Sequence, residues 1–165
     1  DALGISGEDG GLLQAVPMRG GALGRAGEVE SVRAALLRSL LAAGIVPVLS
    51  PVSRGPDGGA MNVNADDAAA AVAAALEADE LLFVSNVPGV LAGGAVIGEV
   101  AAGEVEALIA DGTASGGMAP KLRAAARAAW SVGRVRIGGV EMLDAGDAGT
   151  RVAAGEMAHT TEAAG

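Results

Sequence analysis

The chain has 165 residues, 51% of them hydrophobic, which is the scale of one domain with one aliphatic core. Twenty acidic against 11 basic residues, a formal charge of -9 and only 1% aromatics exclude a phosphate-backbone footprint and base-stacking platforms, so no nucleic-acid partner is expected. The absence of cysteine excludes disulfide scaffolds and thiolate metal sites, and the longest apolar run, residues 68–76, is about half of what a bilayer requires, so a cytoplasmic protein without a membrane partner is expected.

Asp1 stands where an initiating Met would, which suggests a piece of a longer product, and patterning begins at once with Leu3-Gly4-Ile5-Ser6-Gly7. Gly21, Gly24 and Gly27 lack the G-x-G-x-x-G spacing of a dinucleotide loop. Residues 29–43 place Val29, Val32, Leu36 and Leu40, with Leu37 and Leu41, at helical spacing, and Gly44 ends that segment. Ile45-Val46-Pro47-Val48-Leu49-Ser50 then predicts a buried strand of a parallel sheet. An Ala-rich helix over residues 66–78 feeds a strand at Leu81-Leu82-Phe83-Val84-Ser85, and a helix over 120–131 feeds one at Val135-Arg136-Ile137. Three such alternations predict an α/β fold, a mainly parallel sheet with helices on both faces. Ligands of such sheets bind at the carboxyl ends of strands, here the loops 50–64, 86–91 and 113–120. Residues 153–165 are too small and polar to pack and are expected to lack stable structure; they contain the lone histidine, His159, to which no catalytic or metal role is assigned.

Two motifs carry chemistry. In Asn62-Val63-Asn64-Ala65-Asp66, either Asn64 or Asp66 suits an N-cap for the Ala-rich helix, and the same cluster could hold a ligand carboxylate and orient lysines. The second is Gly116-Gly117-Met118-Ala119-Pro120-Lys121, with Pro120 expected at the first helical position and Lys121 behind it. A cation at a helix amino end opposes the dipole unless an anion joins it. The preceding Gly112-Thr113-Ala114-Ser115 is no Walker loop, because Met118 follows where Lys-Ser or Lys-Thr would be needed.

Read in order, Gly4-Ile5-Ser6-Gly7-Glu8-Asp9-Gly10, Val46-Pro47-Val48-Leu49-Ser50-Pro51, Asn62-Val63-Asn64-Ala65-Asp66, Val87-Pro88-Gly89-Val90, Gly116-Gly117-Met118-Ala119-Pro120-Lys121 and Gly149-Thr150 resemble acetylglutamate kinase. The resemblance implies the amino acid kinase (carbamate kinase-like) fold, of which residues 1–152 would be the carboxyl, ATP-binding half. It implies ATP with Mg2+ and N-acetylglutamate as small-molecule substrate, in arginine biosynthesis. It also implies a homo-oligomer or a missing amino-terminal half, which in the family carries a second lysine, a glycine-rich phosphate loop and a substrate-gripping arginine; without them the chain alone is expected to be inactive. By the same resemblance Lys121 stabilises the transferring phosphoryl group, Asp66 arranges the catalytic lysines and Asn62 contacts the substrate. Asn86, Val87, Pro88, Gly89, Val90 and Leu91 would lie along the nucleotide, with Thr113, Ala114 and Ser115 closing over it; no protein metal ligand is assigned. Val87, Pro88 and Gly89 also read as an ordinary strand-to-loop turn, and Asn86 stands where the family commonly has Asp. A kinase for carrier-linked aminoadipate or glutamate is a neighbouring alternative, although its motif resembles Asn-Val-Asp-Gly-Asp. A non-catalytic nucleotide-binding module is another.

Overall fold

A computed structural model describes residues 1–155. In place of one core the chain forms two compact units, one of residues 1–81 with 131–133, the other of residues 82–130 and those from 134 on.

In the first unit β1 (Ala2–Ser6) leads through a loop to β2 (Leu13–Pro17), β3 (Ala26–Val32) and α1 (Ala34–Ala42). Then come β4 (Val46–Ser50), β5 (Val52–Arg54), β6 (Ala60–Val63) and α2 (Ala65–Leu76). β1 and β4 pair in parallel, Ala2 opposite Val46 through Ser6 opposite Ser50. β2, β3, β6 and β5 close into a ring of alternating antiparallel and parallel pairs. Leu12, Leu13, Ala15, Leu37, Met61, Val63 and Ala68 form its core, with Ile5, Val29, Val32, Leu36, Leu49, Val72 and Leu76 packed against them.

The helix expected over residues 29–43 is corrected: residues 29–32 end β3, and α1 starts at Ala34. Ser31 pairs with Gln14 but Val29 with Ala15, which leaves Glu30 as an extra residue. That bulge lets two valines three positions apart reach the same core, so a strand imitates a helical period. The strand expected at residues 45–50 is present as β4, but it is not buried on both faces. Leu49 faces the core, whereas Val46 and Val48 are 58% and 59% exposed, because β4 belongs to a two-stranded sheet.

The chain passes through β7 (Glu80–Val84) into the second unit: a hairpin of β8 (Leu91–Ala92) and β9 (Ala95–Val96), then β10 (Glu99–Ala101), α3 (Val105–Ala110), α4 (Met118–Ala128), β11 (Arg134–Gly138) and β12 (Thr150–Ala153). The sheet runs in the order β10, β12, β11, β7, with β10 and β12 parallel and β11 and β12 antiparallel. α4 packs on β11 and β12 and buries Leu122, Ala124, Ala125 and Ala128. It begins at Met118, two residues before its expected start, so Pro120 is the third helical residue and not the first. Its missing N–H still costs nothing, because the first turn has no intrahelical acceptor for it. Residues 139–149 cover the sheet with a single short turn, Val140–Leu143, through which Met142 is buried.

Helices and mixed sheets make the chain α/β. Ala153 ends β12 and the described chain continues to Gly155; beyond it, the segment expected to lack structure and His159 lie outside the described residues. No helix among the described residues is long and apolar enough to cross a membrane.

Candidate functional site

In the second unit, the carboxyl ends of β7 and β11 frame a cavity of about 410 Å³ lined by Ser85, Asn86, Val87, Pro88, Gly139, Val140 and Glu141. Three of the expected nucleotide residues, Asn86, Val87 and Pro88, therefore share one concavity. Its two rims are joined by the Ser85 amide, which donates to the Gly138 carbonyl at 2.7 Å. A Cβ at Gly138 would sit 2.9 Å from the Pro88 oxygen, so only glycine lets the loop approach the strand this closely.

The rest of that loop is fixed from far along the chain. The fully buried Thr150 hydroxyl accepts from the Val90 amide at 2.8 Å and donates to the Ile97 carbonyl at 2.7 Å, while the Ile97 amide donates to the Val90 carbonyl at 2.8 Å. Gly89 packs against that hydroxyl, and a Cβ there would stand 2.7 Å from it. Gly89 and Val90 are buried, so residues 89–90 shape the loop, and Asn86, Pro88 and Leu91 are its exposed members.

The opposite rim depends on Arg136. This strand residue is buried, and its guanidinium donates to the carbonyls of Ala145 at 2.9 Å, Ala148 at 3.0 Å and Met142 at 3.1 Å. Three carbonyls on one rigid fork hold the turn that carries Val140 and Glu141.

Thr113, Ala114 and Ser115 precede α4. Ala114 is fully buried and its amide donates to the Leu108 carbonyl at 2.8 Å, which leaves Thr113 and Ser115 to present side chains. The Thr113 amide donates to Asp111 Oδ1 at 2.9 Å, and this bond, followed by that of the Thr113 hydroxyl, holds the Asp111 carboxyl below its ordinary range. Lys121, the fourth residue of α4, is half-buried with its ammonium 5.4 Å from the centroid of the Phe83 ring. That cation–π contact is one of the contacts that aim the side chain.

In the first unit, Asn62 lies on β6, where Met61 and Val63 are buried and Asn62 is exposed. Of the two caps that the sequence offers, Asn64 and not Asp66 is the N-cap, its Oδ1 accepting from the amides of Asp66 at 2.8 Å and Asp67 at 3.2 Å. Asp66 stands in the first turn of α2, half-buried, where a carboxylate favours the dipole. A second cavity of about 360 Å³ in this unit is apolar, lined by residues such as Leu13, Leu49, Val72 and Leu81, and none of the expected site residues borders it.

Ser85, Gly139, Val140 and Glu141 escaped the sequence analysis. Their signal was the Gly138-Gly139 pair closing a strand, since the carboxyl end of a strand is where such sheets bind ligands. Among the described residues no group of three or more His, Asp or Glu side chains could hold a metal ion.

Residues 1–139 match the model of the amino acid kinase family. An acetylglutamate kinase of Roseiflexus sp. (strain RS-1) is 56% identical over 127 residues, covering 76% of this chain and 48% of that protein. One from Chloroflexus aurantiacus (strain ATCC 29366 / DSM 635 / J-10-fl) is 50% identical over 163 residues, covering 94% of this chain and 62% of that protein. The chain thus spans about half the length of many of the curated relatives it matches. Among solved structures, Giardia carbamate kinase superposes with a TM-score of 0.70 at 19% identity, over 93% of this chain and 62% of that one, which shows the fold alone.

Proposed function

The chain belongs to the amino acid kinase family, and we propose that it supplies the nucleotide site of a kinase that phosphorylates the side-chain carboxylate of N-acetyl-L-glutamate with ATP. The observation that carries this is the cavity in which Asn86, Val87 and Pro88 meet Gly139, Val140 and Glu141 at the strand ends. Relatives named acetylglutamate kinase at 50–56% identity support the substrate. They also favour free acetylglutamate over a carrier-linked one, as does Asn62-Val63-Asn64-Ala65-Asp66.

In this reaction a carboxylate oxygen attacks the γ-phosphorus, and the bond from that phosphorus to the bridging oxygen of ADP breaks. The products are an acyl phosphate and ADP. A carboxylate is already ionised at neutral pH and needs no general base, so catalysis consists of positioning and charge neutralisation. Lys121 meets the charge that shifts onto the phosphoryl oxygens, its ammonium steered by Phe83. Asp66 orients cationic groups from the start of α2, and Asn62 offers its amide to the substrate. Residues 86–91 lie along the nucleotide, with Thr113 and Ser115 flanking it. The protein works in the cytoplasm, as a homo-oligomer or together with the half that its relatives possess, and Mg2+ enters bound to ATP.

Calorimetric titration with MgATP, followed by amide exchange, tests the site. Saturable binding that protects residues 85–88 and 139–141 is expected. Saturable binding that leaves both segments unprotected would put the nucleotide elsewhere.

A further inference from the structure

Glu141 is the one ionisable side chain on the wall of the 410 Å³ cavity. Among the described residues its carboxylate makes no hydrogen bond or ion pair; only its backbone carbonyl is used, by the amides of Asp144 and Ala145. The side chain stays close to its own turn. It doubles back over Gly139, where both carboxylate oxygens occupy the space that a Cβ would need. The turn beneath it is anchored by Arg136 through the Met142, Ala145 and Ala148 carbonyls. A solvent-reachable carboxylate, unsatisfied among the described residues, thus faces a wall of Val87 and Pro88, with the Asn86 amide beside them.

A carboxylate accepts hydrogen bonds and donates none, and it repels a phosphate. It therefore suits the end of a nucleotide far from its phosphates. On either edge that carries it, adenine's one amino donor lies beside a ring-nitrogen lone pair, which would face the second carboxylate oxygen, and the remaining edge has no amino donor. The vicinal 2′- and 3′-hydroxyls of ribose instead present two adjacent donors to two oxygens. We infer, taking this cavity as the nucleotide site, that Glu141 is the ribose-specifying residue: its carboxylate accepts hydrogen bonds from both hydroxyls and turns the phosphates away from this wall.

The test compares MgATP, 2′-deoxy-ATP and 3′-deoxy-ATP by calorimetry on the 165-residue chain and its Glu141→Ala and Glu141→Gln variants. The parent should bind each deoxynucleotide about tenfold more weakly than ATP, the loss typical of one hydrogen bond to a charged group. Glu141→Ala should bind all three within about twofold of one another, and more weakly than the parent binds ATP. Glu141→Gln keeps one acceptor oxygen and should retain part of the preference. Both variants should melt with the parent, since the carboxylate has no partner among the described residues to lose. Equal affinity of the parent for the three nucleotides, or a preference that survives in Glu141→Ala, overturns the ribose assignment and leaves the nucleotide site standing. A matching drop in melting temperature in both variants would make Glu141 structural and overturn it equally. Failure of the parent to bind MgATP would sink the nucleotide site itself, and the assignment with it.

Discussion

The two units solve the placement of polar residues in opposite ways. In the first, Asn62 and Asp66 ride on regular elements, β6 and α2, above a core that is apolar apart from the buried Ser53. In the second, residues 86–91 and 139–141 are loops, and two buried polar side chains, Thr150 and Arg136, hold them through their backbones. A helix or strand satisfies its own amides and carbonyls, so apolar packing is enough to aim what it carries. A loop leaves those groups open, and here buried residues remote in sequence satisfy them. The second unit should therefore be the more sensitive to loss of polar groups.

The largest effect belongs to Lys121. Wherever turnover is measured, in this chain or joined to the half its relatives possess, Lys121→Met should lower kcat by about 100-fold to 1000-fold, or roughly 3 to 4 kcal/mol. Affinity for MgATP should change by less than about threefold, because the ammonium matters most when charge moves. Kinetics and calorimetry side by side decide; a kcat within about threefold of the parent removes Lys121 from the site.

Arg136→Met preserves much of the side-chain volume but strips one buried carbonyl, that of Met142, and two part-buried ones, those of Ala145 and Ala148, of a donor. It should cost about 3 kcal/mol in urea unfolding, with faster amide exchange across residues 142–148. Thr150→Val, nearly isosteric, should cost about 2 kcal/mol and weaken MgATP binding as well, since the Val90 amide loses its acceptor. A control in the first unit, Leu37→Ala, should destabilise by about 2 to 5 kcal/mol yet leave nucleotide affinity unchanged. Equal loss of affinity in both variants would dissolve the distinction between the units.

Asn64→Ala should cost about 1 kcal/mol in thermal melts, the price of one N-cap. Asp66→Ala leaves the Asn64 cap in place, and its effect should appear in turnover. Turnover unchanged from the parent in Asp66→Ala would remove Asp66 from the site. Smallest of all is a pH effect at Asp111, whose folded pKa lies below its unfolded one. Its contribution is present above the unfolded value, about 3.9, and disappears as pH falls through the depressed folded value. The Thr113 amide resonance, followed by NMR from pH 6 downward, should move only once pH drops below about 4.

Legibility follows the same division. α2, β4, β7 and β11 were readable because periodicity and punctuation act within ten or so residues, and Asn64 lay inside a pattern that offered it as a cap. β3 was misread because the bulge at Glu30 brings Val29 and Val32 to one face, a fact about its partner strand and not about its own sequence. Of the candidate site, Asn86, Val87, Pro88 and Lys121 carry motif spacing. Glu141 carries none, and it joins the cavity only because β11 ends beside β7. Arg136 reads as the outward residue between Val135 and Ile137, yet all three are buried, since both faces of that strand are covered.

Thr150 also imposes an order of assembly. The hydroxyl that closes the loop at Val90 lies 60 residues further along the chain. On a nascent chain emerging amino end first, β7 and the β8–β9 hairpin exist well before the threonine that fastens them. Long-range closure of this kind comes late, because the entropy of the intervening chain must be lost before the contact forms. The segment 86–91 should therefore be the last part of its unit to gain protection during refolding, and ligand binding should become competent only when β12 docks.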